Sequence, residues 1–135
     1  MARIVLTNAV VKINSVDLSD HVASVELAQE VEEVETTAFG DTARTRTGGL
    51  ANNSLSLDFH QDFASASVDD TLNALVGGTA SFEILPNGTA VSATNPRYTG
   101  TVLLTEWTPV SGAIGELATA SITWPISGAV TRATA

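Results

Sequence analysis

The 135-residue sequence has no cysteine, so neither disulfides nor thiolate metal sites can hold it together. That absence favours a reducing compartment, or a particle assembled in one. Lysine is nearly missing as well. Lys12 and five arginines stand against 15 acidic residues, a net charge of −9. Affinity for nucleic-acid phosphates comes from lysine and arginine, so the balance argues against conventional DNA binding. Aromatic residues are only 5% of the chain. No apolar run approaches the length of a membrane-spanning helix, and MARIVLTNAV lacks the apolar core of a signal peptide. The expectation is a chain without a membrane anchor, not secreted by a cleaved signal. Its length suits one domain, residues 1–135, with a modest core.

What is present is unevenly placed. Between Asp17 and Glu35 there are seven acids and no lysine or arginine. Within residues 22–35, Val22, Val25, Leu27, Val31 and Val34 suit a pleated strand. Glu26, Glu30, Glu32, Glu33 and Glu35 make that strand acidic. Val34 breaks the parity of Val25, Leu27 and Val31, which predicts a β-bulge near Glu32 and Glu33. As one strand, residues 22–35 would span roughly 45 Å. Residues 40–53, GDTARTRTGGLANN, follow as a loop without strand or helix pattern, and loops that long are usually functional or disordered. Asp41, Arg44 and Arg46 carry its charge. A dense row of carboxylates beside two guanidinium groups makes pairing between copies of the chain plausible. The candidate contacts are Asp41, Arg44, Arg46, Glu30, Glu32, Glu33 and Glu35.

The rest reads as short strands and one helix. Residues 1–8 form an arm or edge strand, and residues 9–13 a short strand. Asn14, Ser15 and Asp17 supply turn chemistry. Residues 54–63 alternate, with Leu55, Leu57, Phe59 and Phe63 on one face. A helix is expected at residues 68–76, with Ser67 and Asp70 as a capping box. Val68, Leu72, Leu75 and Val76 form its apolar stripe, and Gly77-Gly78 its stop. Leu72 and Leu75 are its packing residues. Strands follow at residues 79–85, 98–108 and 116–124, then a polar tail at 128–135. This order predicts a mainly β protein: a β-sandwich or partly open barrel with one flanking helix.

Sites for chemistry are sparse. Asp17, Asp20 and His21 are close in sequence but lack zinc or EF-hand spacing. His60 lies between Asp58 and Asp62 on one strand face, without a nucleophile motif. The glycine pairs lack the phosphate-loop signature. Asn52 and Asn87 head glycosylation patterns that carry no weight without a secretory signal. Trp107 and Trp124 could form a sugar-binding platform; Trp124 shares its parity with core residues, whereas Trp107 stands on a threonine-rich face. No catalytic residue, cofactor or metal is expected.

Three stretches, VDLSDHVASVELAQEVEEVETTAFGDTARTRTGGL, SLSLDFHQDFASASVDDTLNALVGG and AVSATNPRYTGTVLLTEWTPVSGAIGELATASITWP, occur in this order over most of the chain. As an ordered set they resemble the tail tube (major tail) proteins of long-tailed bacteriophages. The resemblance implies a β-sandwich with a flanking helix. It also implies a virion structural subunit, assembled in the bacterial host cytoplasm. Such subunits form homo-oligomeric rings, usually hexameric, stacked into a hollow tube through which genomic DNA passes. Tape-measure and tail-terminator proteins are its implied partners. Six copies would carry a charge of roughly −54, suited to a conduit that repels phosphate. The alternative reading is a carbohydrate-binding or adhesive β-sandwich resting on Trp107.

Overall fold

The computed structural model describes residues 3, 5–65 and 67–135. Among the described residues ten strands and one α-helix follow in order, with a single 3-10 turn at Ser19–His21 between the second and third strands: β1 Val10–Ile13, β2 Val16–Asp17, β3 Val22–Ala28, β4 Val31–Glu35, β5 Arg46–Ala51, β6 Ser54–His60, α1 Val68–Asn73, β7 Thr79–Leu85, β8 Arg97–Leu103, β9 Thr119–Pro125 and β10 Thr131–Ala133. All pairings are antiparallel. They make a five-stranded sheet, β10-β8-β7-β1-β2, a three-stranded sheet, β3-β6-β9, and a separate β4-β5 pair.

The two larger sheets form a sandwich because their strands alternate. Leu55, Leu57 and Phe59 of β6, with Ala120, Ile122 and Trp124 of β9, are buried against Val11 and Ile13 of β1, Ala80, Phe82 and Ile84 of β7, and Val102 of β8. Two local features permit this packing. Asn14 and Ser15 both have positive φ, 52° and 67°, as a two-residue type I′ hairpin between β1 and β2 requires. Gly100 faces Phe82 across the β7–β8 ladder, where an added Cβ would lie 2.8 Å from the Phe82 ring. Helix α1 closes one flank with Val68 and Leu72 fully buried; Leu75 packs half-buried against the same core.

Several expected boundaries move. The strand expected over residues 22–35 is two strands in different sheets, broken at Gln29 and Glu30. Its bulge is present: register shifts between Val31 and Glu33, and a second shift lies between Val22 and Ser24. The patternless loop at 40–53 contains β5, and the tail at 128–135 contains β10, which pairs with β8. Helix α1 stops at Asn73, followed by tight turns through Gly77 at φ 85°. The capping box does not form, because the Ser67 hydroxyl donates to Asp62 instead. Phe63 and Val76 are exposed rather than inward. The strand expected at 98–108 ends at Leu103, where Leu104 turns to exchange backbone bonds with Gly77 and Gly78. The strand expected from residue 116 begins at Thr119. The N-terminal arm falls partly on Met1, Ala2 and Ile4, outside the described residues; Arg3 and residues 5–8 carry no strand.

Candidate assembly surfaces

The β4–β5 hairpin projects from the sandwich, and all its strand residues are exposed. Its neck is held by Asn53, which is 6% exposed. The Asn53 side-chain oxygen accepts from the Glu30 amide at 3.2 Å, and its carbonyl accepts from Ile126 at 3.0 Å. The Asn52 amide donates to the Glu30 carbonyl at 2.7 Å. The Asn53 side chain and two backbone bonds thus replace the ladder where the chain leaves the core, and the hairpin is redirected rather than frayed.

Within the hairpin the candidate charges meet one another. Arg46 faces Glu35 in the register and pairs with Glu33, while Arg44 reaches Glu35 at 3.0 Å. Asp41 closes the tip by accepting from the Ala38 amide at 2.7 Å. Glu30 lies at the neck and Glu32 on exposed β4. These ion pairs are open to solvent, where such contacts contribute about 0–1 kcal/mol each. Gly48 and Gly49 pass beneath Val31 and Val34; a Cβ on Gly49 would lie 2.9 Å from Val34 Cγ2. The hairpin's apolar side chains have little cover: Val31 is 61%, Leu50 81% and tip residue Phe39 109% exposed.

A second surface is the three-stranded sheet. Strands β3 and β9 each have seven residues and pair with β6 on one side. The edges of the five-stranded sheet, β2 and β10, have two and three residues. An apolar groove of 150 Å³ lined by Leu6, Val25, Leu27, Leu85 and Tyr98 runs beside β3. On the outer face, Ser24 donates to Asp58 at 2.9 Å, and the Ser56 and Thr123 hydroxyls are 3.0 Å apart. Hydrogen bonds from Ser121 and then Ser24 hold the Asp58 carboxyl below its usual range. The strands β3, β6 and β9 contain no lysine or arginine; Lys12, Arg97 and Arg132 all lie on the five-stranded sheet.

The possible chemical sites disperse. Asp58 serves the sheet face, and His60 Nδ1 is buried without a hydrogen-bond partner. Asp17 accepts from the Ser19 amide at 2.9 Å. His21 turns toward the helix entrance, a cluster that sequence spacing does not reveal. There its Nε2 lies 3.3 Å from Ser67 Oγ and 3.4 Å from Asp62 Oδ2. Serine and aspartate meet the same ring nitrogen, whereas a relay needs them on opposite nitrogens. The Ala64 amide, then Ser67 and His21, keep the Asp62 carboxyl below its usual range. Among the described residues no group of three or more His, Asp or Glu side chains is placed to hold a metal. No described helix is long and apolar enough to cross a membrane. Trp107 is half-buried against the core: its ring packs edge-on to Phe59 at 5.9 Å, and its indole N–H donates to Asp69 at 3.1 Å.

The fold has counterparts among solved structures. A chain in the virion of a native gene transfer agent particle superposes with a TM-score of 0.74 at 14% identity, covering 93% of this chain and 95% of that one. The chain has a fold of the phage tail-tube type. A chain from the tail of an empty gene transfer agent particle, refined with C6 symmetry, matches with a TM-score of 0.65 at 15% identity, over 82% of this chain and 81% of that one. One from the six-fold symmetrised baseplate of an anti-feeding prophage matches at 0.52 and 10% identity, over 98% and 97%. No family model and no curated protein matches the sequence.

Proposed function

We propose that this tail-type chain is a tube subunit. It assembles into six-membered rings that stack into a hollow virion tail carrying DNA, with tape-measure and terminator proteins as partners. The observation that carries the reading is its fold match, over most of its length, to a chain of a C6-symmetric tail. The open edges support it. Seven-residue sheet edges without a partner strand are a liability in a lone protein, and β3 of one copy meeting β9 of the next covers both. Such head-to-tail contacts close into rings. The exposed hairpin, with Arg44, Arg46, Asp41 and the glutamates Glu30, Glu32, Glu33 and Glu35, then reaches a neighbouring ring. The lysine- and arginine-free outer face of β3-β6-β9, bearing Glu26, Ser56, Asp58 and Ser121, faces the bore and repels phosphate.

Electron microscopy of concentrated protein tests the assembly. Rings or tubes with six-fold symmetry are expected; a protein that stays monomeric at millimolar concentration overturns the reading. The bore assignment is tested by replacing Glu26 and Asp58 with lysine. Tubes of the double variant should retain added duplex DNA at low salt, and wild-type tubes should not. Equal retention reassigns the bore to another face.

A further inference from the structure

Strand β9 carries a device that acts on its own open edge. In an antiparallel ladder, alternate residues turn their backbone groups toward the partner and away from it. The Ala118 carbonyl and the Ile126 amide bond toward the β6 side, to Gln61 and Asn53. Residues of odd number therefore face outward: Thr119, Ser121, Thr123, Pro125 and Ser127. Pro125 has no amide hydrogen, and the Ser127 amide is bound to the Thr101 carbonyl at 2.8 Å. Thr123 is thus the last outward donor before the chain rejoins β8. Its amide is occupied by a side chain, donating to Glu106 Oε1 at 3.1 Å. Glu106 is held there from both sides. The buried Trp124 indole donates to the Glu106 carbonyl at 2.8 Å, and the next residue, Trp107, is fixed by Phe59 and Asp69.

We propose that Glu106 is an edge guard: its carboxylate holds the Thr123 amide in the free subunit and must leave before a second copy's strand pairs there. This rests on the assembly reading and adds a control to it. A carboxylate accepts a hydrogen bond without offering the donor that would extend a ladder, and it places a negative charge where an acidic copy approaches. The guard slows edge pairing in solution and yields where pairing extends along the whole edge.

Two substitutions test the device, and each is read twice. Glu106→Ala removes the guard. Glu106→Asp keeps the charge but withdraws the carboxylate by one methylene. In dilute monomer, the Thr123 amide should exchange about two- to tenfold faster in both variants than in wild type. In concentrated protein, both should assemble after a lag shortened by a similar factor. Unchanged Thr123 exchange in a folded Glu106→Ala monomer overturns the guard, whatever the assembly. Acceleration by alanine but not by aspartate also overturns it, and assigns the effect to charge alone. Absence of assembly in wild type and variants alike overturns the tube reading, and with it the guard's role, while the exchange ratio still decides the contact.

Discussion

At the scale of single residues, burial separates side chains that look alike in sequence. Leu72 and Val76 stand in the same predicted stripe, yet Leu72 is fully buried and Val76 is 46% exposed. Leu72→Ala should cost about 2–5 kcal/mol, lowering the urea midpoint, because a cavity opens beneath α1. Val76→Ala should shift it little, and equal losses would show that the helix does not pack through Leu72. Hydrogen bonds to the ionised carboxyls of Asp17, Asp58 and Asp62 hold all three below the usual aspartate range. A depressed folded-state pKa contributes stability that is fully present above the unfolded value. It fades as pH falls from there through the folded one. Denaturant midpoints should therefore decline below about pH 4, and Asp58→Asn should make that decline shallower. An acid limb identical in the variant would mean that the Ser121 and Ser24 bonds do not distinguish the folded state.

At the scale of elements, the β4–β5 hairpin stands apart from both larger sheets, with every strand residue exposed. It forms its own two-stranded sheet, and such hairpins are marginal in water without packing. Its amides should exchange quickly in the monomer and slowly in assembled tubes, while β6 amides stay protected in both. Equal hairpin protection in the two states would show that its order does not depend on neighbours. The strands with one buried face were legible from sequence: β7 has the expected bounds, and β6 and β9 alternate as expected. Strand β5 was not, because RTGGLA is exposed on both faces and has no buried side to impose a period of two. Strand β10 has only three residues, too few to show alternation.

At the scale of the whole molecule, charge and edges point outward together. Arg44 and Arg46 pair with glutamates of their own hairpin, but both pairs are exposed and can be exchanged for those of a second copy. Replacing both arginines with glutamate should leave the monomer folded, because the intrachain pairs contribute little. If the subunits form a tube as proposed, it should also impair tube growth, because a contact between copies would repeat at every subunit and set register. Normal-length tubes from the folded variant, seen by electron microscopy, would remove this hairpin from the electrostatic contacts. Added salt weakens wild-type assembly if pairing dominates, and strengthens it if relief of like-charge repulsion dominates.

By itself the sequence determined the class of the protein: mainly β, one short helix, acidic and without cysteine, with charges segregated around residues 22–53. These follow from composition and local periodicity, which act over a few residues at a time. Tertiary structure decided what each segment meets. The long acidic strand breaks at Glu30 because Asn53, 23 residues away, supplies its amide with a partner. Trp107 packs against the core because Phe59 and Asp69 lie where its ring and indole nitrogen arrive. The open edges of β3 and β9 exist only once both have paired with β6. A strand's periodicity shows which face it buries, but its backbone partners are set by pairing between distant segments, and that pairing leaves the edges where copies can join.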